Sequence, residues 1–431
     1  MVNAATGRVA RDQLYRAEVP RSRPDAARPL GTLEHLFWLY DQNRSVHFAV
    51  TALISGQASP RDWRRALDQL QKRHPILSVC ISGEPNSTPA FHRVDVAPIP
   101  LRIVNDEPAR HWEAEVAEEL ATPFDSSRAP LIRAVLIQRA GDAAFILVAH
   151  HSIADGLSLA YAVRDTLGAV AGRPLRPLAW LPSQDDMIGA SESLVDAPEP
   201  DQPRASMPAV YRPRDNARPA LKAVRLSPDL TARMRERARR EGTTVHGALC
   251  AALVLASRDL FPAWREIPLR IFSPINARLP AAGESCGLFL GATTTAFGRQ
   301  TTGFWDSARD AKATITANTT GEQMAARLAF LRRVVGNGAD MATAAAVGAE
   351  LFRSEFLLTN LGSLSFAQQF GPLTLKAMFG PAVLTGLEGQ QTIGVATVNG
   401  ALCLLLTSHT PLEGLLESTQ SVLTKACDTV L

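Results

Sequence analysis

Two adjacent histidines at the end of an apolar run constrain the fold of this chain more than any other feature. Residues 145–163 read FILVAHHSIADGLSLAYAV, and the apolar part ends at His150 and His151. Asp155 and Gly156 follow, and apolar residues then recur at helical spacing. The pattern predicts a strand, a sharp turn that glycine permits, and a helix.

The histidine doublet is suited to proton transfer. Neighbouring residues on a strand point to opposite faces, so one of His150 and His151 faces inward and the other packs away or emerges at the strand end. An imidazole titrates near neutral pH and can act there as a general base. In a chain of 431 residues the string HHxxxDG is expected by chance on the order of 10⁻³ times. A functional role is therefore favoured over two ordinary packed histidines.

Two other kinds of site fit the sequence less well. A metal centre needs a third ligand, and two neighbours on opposite strand faces do not easily reach one ion. The chain has no HExxH motif and no further histidine cluster, so we predict no metal. A serine hydrolase with a nucleophile elbow is disfavoured, because the GxSxG string of the chain, GESCG (283–287), does not follow the apolar strand that such an elbow requires.

The length of the chain and one change in composition predict two lobes. A single hydrophobic core rarely extends over 431 residues. The stretch between the predicted lobes is rich in Pro, Asp, Arg and Ser and lacks periodicity. We predict an N-terminal arm over residues 1–28, a first lobe over 29–175, a linker or crossover over 176–220 and a second lobe over 221–431.

Composition excludes several classes of protein. The chain is 46% hydrophobic and 20% charged, as ordinary globular proteins are. It contains no uninterrupted apolar window of about 18 residues, so we predict no membrane span. A net charge of +3 is too small to indicate nucleic-acid binding. Five scattered cysteines and an N-terminus without an apolar leader favour a cytoplasmic protein.

The string HHSIADG resembles the signature of the CoA-dependent acyltransferase superfamily, which includes condensation domains of nonribosomal peptide synthetases and polyketide-associated acyltransferases. Four further stretches are similar to condensation-type members: KRHPILSVCI (72–81), PFDSSRAPLIRAVLI (123–137), SPINARL (273–279) and LLTNLGSL (357–364). The DFGWG motif of the plant branch is absent, and Leu157 stands where condensation domains often have Trp. In appearance the chain most resembles the dimycocerosyl-transferase-like group.

This resemblance implies a fold and a mechanism. The fold is α/β, with two lobes like chloramphenicol acetyltransferase, each a mixed β-sheet flanked by helices, and an active-site channel between them. His151 would be the general base for direct acyl transfer from a thioester, and the Gly156 amide a donor to the oxyanion. The donor would be an acyl carrier protein or CoA, and the acceptor a small-molecule alcohol or amine. No further cofactor is implied, and the chain is expected to be a monomer.

The remaining polar residues of the motif have structural interpretations. Asp155 could orient the imidazole as in a triad, but the resemblance favours a turned-away carboxylate that pairs with Arg278 and ties the loop to the second lobe. His150 is expected to hold the loop by hydrogen bonds. Thr359 and Asn360 are candidate oxyanion or substrate contacts, and an ordinary strand-end turn explains them equally well.

Three functions follow from these residues. The first is an acyltransferase that forms an ester or amide in polyketide, lipid or nonribosomal peptide biosynthesis. The second is a non-catalytic condensation-like protein that binds carrier proteins or acyl chains, for which neither His151 nor Gly156 would be needed. The third is an isomerase or dehydratase that uses the same base. An arginine-rich helix over residues 228–241 is either a solvated face or a docking surface for an acidic carrier protein.

Overall fold

The computed structural model describes residues 27–83, 88–93, 96–105, 111–189, 210–299, 303–336 and 338–428. Nearly all of the predicted arm and about half of the predicted linker lie outside the described residues. The helices are α1 (Thr32–Asp41), α2 (Pro60–Arg73), α3 (Trp112–Ala121), α4 (Gly156–Val170), α5 (Gln184–Ile188), α6 (Pro228–Arg240), α7 (Val245–Leu260), α8 (Phe304–Asn318), α9 (Gly321–Gly336), α10 (Met341–Leu351) and α11 (Leu415–Asp428). The strands are β1 (Arg28–Pro29), β2 (Phe48–Ser55), β3 (Val79–Ser82), β4 (Ala90–Arg93), β5 (Leu101–Asn105), β6 (Ile132–Gln138), β7 (Asp142–Ala149), β8 (Ala220–Arg225), β9 (Leu269–Asn276), β10 (Leu290–Phe297), β11 (Phe356–Ser363), β12 (Gln369–Phe370), β13 (Leu373–Ala382), β14 (Gln391–Val398) and β15 (Ala401–Ser408).

The first large sheet holds the strand that ends in the histidine doublet. Its order is β12-β13-β2-β7-β6-β5, with β5 parallel to β6 and the other neighbours antiparallel. On β7, Phe145 and Leu147 belong to a core cluster with residues of α2 and α4, whereas Ile146 and Val148 pack in a cluster with residues of α3. Because both faces of β7 are buried, its sequence is a continuous apolar run. The buried strand gives the histidine doublet that follows it a rigid support.

The second large sheet has the order β10-β9-β11-β14-β15-β8. Its strand β11 is parallel to β9 and β14, and the other neighbours are antiparallel. Helices α6, α7 and α11 contribute to the core cluster on one face of this sheet. The turn at Asn399 and Gly400 joins β14 to β15 with φ of 53° and 74°, as a two-residue hairpin turn requires. Helices α8 to α10 lie in the chain between β10 and β11, and α9 and α10 contact α1 of the first lobe.

The C-terminal part of the chain contributes strands to both sheets. Strand β13 falls within the range predicted for the second lobe, but it pairs antiparallel with β2 in the first sheet. The two sheets make backbone contact where β13 ends, because a Cβ at Gly394 would lie 2.2 Å from the carbonyl oxygen of Pro381. Glycine is therefore required at this crossing. The predicted lobe boundaries stay a prediction.

The predicted fold class is confirmed by this architecture of two mixed sheets flanked by helices. The apolar stretch ILSVCI, residues 76–81, has the composition of a strand but is only partly one: a 3₁₀ turn covers Pro75–Ser78, and only Val79–Ser82 pairs with β4. Pro75 accounts for this because proline lacks the N–H that a ladder uses and fixes φ near a helical value. Among the described residues, no helix combines the length and the apolar character needed to cross a bilayer.

Candidate active site

His151 is the second residue after the end of β7 and is held by one hydrogen bond and two aromatic rings. Its Nδ1 lies 3.0 Å from the carbonyl oxygen of Ala154. A carbonyl can only accept, so Nδ1 carries the proton and Nε2 is left as the acceptor nitrogen. The imidazole stacks on Phe37, with centroids 4.5 Å apart and 6° between the planes, and lies 4.6 Å from the ring of Phe48.

These surroundings change the acid–base behaviour expected for His151. Burial lowers the pKa of His151 to about 4, although the charge of nearby Asp155 acts in the opposite direction. The cause is desolvation, which disfavours the imidazolium ion. The ring is therefore neutral at pH 7 with Nε2 ready to accept a proton. It is a weaker base than a histidine in water.

His150 belongs to a buried hydrogen-bond network in the first lobe. The amide of Ser152 donates to its Nδ1 at 3.1 Å, so Nε2 carries the proton and lies 3.4 Å from Oδ2 of Asp41. Burial alone would raise the pKa of Asp41, but His150 and the Val46 amide, which donates to Oδ1 at 3.0 Å, bring that pKa below its usual value. This position suits a residue that holds the loop, and that role stays a prediction.

The carboxylate of Asp155 is bound by the second lobe. Nη2 of Arg278 lies 3.1 Å from Oδ1 and 3.2 Å from Oδ2, and the Phe289 amide donates to Oδ2 at 3.1 Å. Within the first lobe, Asp155 caps α4 by accepting from the Ser158 amide at 2.7 Å. The contact that the resemblance implied between Asp155 and Arg278 is therefore present.

The triad interpretation of Asp155 is not supported by the geometry. A triad carboxylate accepts the Nδ1 proton of the catalytic histidine. Here the Nδ1 proton of His151 is donated to Ala154, and both oxygens of Asp155 are bound by other donors.

Ser158 is a site residue that the sequence reading missed. Its Oγ donates to the carbonyl oxygen of Gly287 at 2.8 Å and accepts from Nη2 of Arg278 at 2.7 Å. A serine among the apolar residues of the first two turns of this helix was the available signal. We call the set Asp155, Ser158, Arg278, Gly287 and Phe289 the polar joint, because its hydrogen bonds connect the start of α4 to the second lobe.

Gly156 is the first residue of α4 and lines the cavity described below. A Cβ at this position would lie 2.8 Å from Cδ2 of Leu361 and 2.8 Å from Cγ of Pro381. Glycine is therefore needed for space, since real side chains do not approach so closely. The first N–H groups of a helix have no intrahelical acceptor and point outward at its N-terminal end. This makes the Gly156 amide a suitable oxyanion donor.

A cavity of about 920 Å³ lies between the two lobes and reaches His151. Residues of α1 and β2 line it from the first lobe, and residues of β9, β10, β11, α9 and α10 line it from the second. Its wall is mostly apolar and includes Phe37, Phe48, Phe272, Leu351, Phe352 and Leu357. The passage that an active His151 requires is therefore present, and its walls suit an aliphatic or aromatic substrate.

Thr359 and Asn360, the predicted pair of substrate contacts, lie next to each other on β11 but have different surroundings. Thr359 lines the cavity. Asn360 is not among the lining residues, and its Oδ1 accepts from the amide of Gly362 at 2.8 Å, where the pairing of β11 shifts register. Alternation along a strand explains the difference. Thr359 alone has the position of a substrate contact, and Asn360 serves the local turn.

Two further histidines, His74 and His246, have packing positions. His74 accepts from the Cys286 amide through Nδ1 at 3.2 Å and lies 3.3 Å from Asp165 through Nε2. His246 contacts Oγ of Ser273 through Nε2 at 2.9 Å, outside the cavity. Among the residues that the structure describes, no group of three or more His, Cys, Asp or Glu could hold a metal ion.

The arginine-rich helix α6 has neighbouring carboxylates for most of its charges. Arg233 contacts Asp229 at 3.0 Å, and Arg239 contacts Glu236 at 3.0 Å. Arg237 is almost buried and pairs with Glu241 at 2.9 Å. This arrangement favours the solvated-face interpretation. A docking role stays a prediction.

Two adjacent parts of the chain match known families. Residues 36–177, which include the histidine doublet, match the family described as "Condensation domain". Residues 215–296, which include Arg278, match "Phthiocerol/phthiodiolone dimycocerosyl transferase C-terminus". The resemblance to condensation-type members of the CoA-dependent acyltransferase superfamily is thereby confirmed in both lobes.

Curated relatives are much longer proteins. Phosphinothricin tripeptide synthetase PhsC of Streptomyces viridochromogenes is 28% identical over 271 residues, which are 52% of this chain and 24% of that protein. Malpibaldin synthetase of Mortierella alpina is 28% identical over 195 residues, 41% of this chain and 3% of that protein. The similarity therefore covers only a small part of each synthetase.

Solved structures share the fold over nearly the whole chain. Polyketide synthase associated protein 5 from Mycobacterium tuberculosis has a TM-score of 0.64 at 20% identity, covering 93% of this chain and 98% of that one. The first condensation domain of the CDA synthetase has a TM-score of 0.70 at 16% identity, covering 94% and 97%. At these identities the likeness shows the two-lobed fold alone.

Proposed function

We propose that this chain, a condensation-type member of the CoA-dependent acyltransferase superfamily, transfers an acyl group from a thioester to a hydroxyl or amine. The observation that carries the proposal is the position of His151. Its Nδ1 is anchored on Ala154, its neutral Nε2 remains free to accept a proton, and the ring borders the cavity between the lobes. Neither a packed core histidine nor a passive binding wall requires this combination.

The proposed reaction needs no covalent acyl-enzyme. As the acceptor oxygen or nitrogen attacks the thioester carbonyl carbon, Nε2 of His151 takes its proton. The carbonyl oxygen becomes an oxyanion, which the Gly156 amide is placed to stabilise. Collapse of this intermediate breaks the C–S bond, and the thiolate takes the proton back from the imidazolium. A positioned base of this kind contributes about 10²–10⁴-fold to a rate.

The donor and the setting are also proposals. The thioester would be carried by CoA or by an acyl carrier protein, and the product would be an ester or amide in polyketide, lipid or nonribosomal peptide biosynthesis. The apolar walls of the cavity support an apolar acyl group or acceptor. The enzyme would act as a cytoplasmic monomer without a further cofactor.

A direct test is to incubate the protein with acyl-CoA or acylated carrier protein and a panel of alcohols and amines. We expect His151→Ala to lower the rate of acyl transfer by about 10²–10⁴-fold without changing the melting temperature greatly. His246→Ala is the matched control, because that histidine lies in the second lobe outside the cavity. Product mass distinguishes the alternatives: a non-catalytic binder gives no His151-dependent product, and an isomerase or dehydratase gives a product without an added acyl group.

The pH profile gives a second test of the same residue. Because the pKa of His151 is lowered to about 4, the base stays neutral as pH falls from 7 to 5. We expect kcat/KM to fall only as pH approaches 4, and not near 6.5 as for a solvated histidine. A midpoint near 6.5 that disappears in His151→Ala would contradict the buried, neutral base.

A further inference from the structure

The cavity wall contains one cation that is not balanced by a carboxylate within the described residues. Arg327 on α9 lines the cavity and is partly buried. Its Nη1 donates to the carbonyl oxygen of Ala292 on β10, and its Nη2 donates to Oδ1 of Asn318 at 3.3 Å. Both acceptors are neutral. Its Nε is shielded from solvent and has no hydrogen-bond partner among the described residues.

The other arginines that line the cavity each have a carboxylate partner, although Nε of Arg270 also lacks a hydrogen-bond partner among the described residues. Arg270 is buried and pairs with the buried Glu355 at 3.2 Å. Arg353 pairs with Glu350 at 3.2 Å, nearer the surface. Where the structure is described, Arg327 is therefore the only charged residue of the cavity wall that lacks an opposite charge within ion-pair distance.

An unbalanced guanidinium in an apolar cavity has an energetic cost that a bound anion would offset. Burial lowers the pKa of Arg327 below its usual value, as desolvation of a cation without a counter-ion does. Arginine nevertheless remains charged at pH 7. Its Nε and Nη2 form the edge that takes a carboxylate in two parallel hydrogen bonds. Nε has no hydrogen bond to give up, so a small movement of the groups that shield it would let it donate to a carboxylate. The 3.3 Å bond from Nη2 to the neutral amide of Asn318 is long and therefore easily exchanged.

We propose that Arg327 binds a carboxylate carried by the apolar substrate that enters this cavity. The identity of that molecule as an acyl-transfer substrate rests on the proposed function, whereas the binding of the carboxylate does not. Ala292 pairs with Pro274, and the register of β9 with β11 places Pro274 level with Thr359. The carboxylate would then lie two strands from Thr359, on the order of 10 Å, which is the reach of a chain of about eight carbons.

Calorimetric titration of the full chain at pH 7 with octanoate, octanol and octyl phosphate tests this subsite. We expect octanoate to bind at least about tenfold more tightly than octanol. Arg327→Gln removes that difference and leaves the affinity for octanol unchanged, and Arg327→Lys keeps part of it because the charge remains. Arg353→Gln is the matched control, since it removes a cavity arginine that has its own carboxylate, and it leaves the preference for octanoate intact.

Several outcomes would overturn the proposal. Equal binding of octanoate and octanol, or a preference that survives in Arg327→Gln, shows that the guanidinium does not contact the ligand. An equal loss of affinity for octanoate and octanol in Arg327→Gln shows that Arg327 only holds α9 against β10. Tighter binding of octyl phosphate than of octanoate excludes a carboxylate site. The same titrations in His151→Ala keep this test separate from the proposed acyl transfer, because ligand binding there needs no turnover.

Discussion

Two of the places where the lobes meet differ in chemistry. At the polar joint, Asp155 and Arg278 are nearly excluded from solvent, with side-chain exposures of 3% and 6%. Their charges are matched, and of the guanidinium nitrogens of Arg278 only the buried Nε has no hydrogen-bond partner among the described residues. At the cavity, the lobes face each other across a space of about 920 Å³, and the wall of this space is mostly apolar. One contact is closed and polar, and the other is open and apolar.

We expect this difference to assign separate roles to the two contacts: the polar joint positions His151 and Gly156, and the cavity selects the substrate. His151 and Gly156 lie at the turn into α4, and the polar joint fixes the start of α4 against the second lobe. The proposed catalytic groups should therefore keep their geometry whichever substrate fills the cavity. Helices α9 and α10 of the second lobe form much of the opposite wall, so we expect the choice of substrate to depend on residues far along the chain from the histidine doublet.

The largest expected effect comes from breaking the polar joint. Asp155→Ala leaves the buried Arg278 without its counter-ion, and we expect the free energy of unfolding to fall by about 3–5 kcal/mol. The matched control is Glu350→Ala at the cavity, whose partner Arg353 is closer to the surface, with an expected loss below about 1 kcal/mol. Denaturant unfolding measures both.

A double variant tests whether Asp155 and Arg278 act as a pair. Asp155→Ala with Arg278→Ala removes both charges, so the double variant should be clearly more stable than the sum of the single losses predicts. Additive losses would show that the two side chains do not act as a pair. A stable Asp155→Ala protein with only a lower kcat would assign Asp155 to the chemistry and remove the distinction between the polar joint and the cavity.

A smaller effect is expected where the joint borders the cavity. In Gly156→Ala the new Cβ would lie 2.8 Å from side-chain atoms of Leu361 and Pro381, so the loop must shift. We expect a loss of about 1–3 kcal/mol and, since a displacement of about 1 Å misplaces the base, a fall in kcat of up to about 10²-fold. Stability and rate are measured on the same preparation.

Gly168→Ala on the same helix is the control for this variant. A Cβ there finds its nearest atom, Cδ of Arg173, at 3.9 Å, so the substitution should be tolerated or slightly stabilising. If Gly156→Ala retains full activity, the start of α4 is not held as tightly as the polar joint indicates.

The fold was predictable from the sequence because its signals are local. The apolar run of β7, the cap and proline of α2 at Ser59 and Pro60, and the Asn399–Gly400 turn each determine an element within a few residues. The placement of β13 in the first sheet was not predictable in this way. It depends on pairing with β2, which lies at the other end of the chain.

The candidate site was predictable only in part, for the same reason. The spacing of the motif and the family resemblance indicated His151, and the resemblance indicated Asp155 with Arg278. No local pattern showed that Phe37 and Phe48 enclose the imidazole and lower its pKa, because these rings come from α1 and β2. Contacts between distant segments set the electrostatics of the site, and a single sequence carries little information on them.

The smallest effect on stability is expected from filling the cavity. Val347 on α10 lines the cavity and is only partly buried, so Val347→Trp places the added rings in open space and should change the free energy of unfolding by less than about 1.5 kcal/mol. The same rings reduce the length of the cavity that is available to an acyl chain. We therefore expect kcat/KM to fall for long acyl donors and to stay near the wild-type value for an acetyl donor. Initial rates over a series of acyl-CoA lengths measure this shift. A uniform loss for all lengths would mean that α10 helps to position the catalytic groups, and that the cavity wall and the polar joint do not have separate roles.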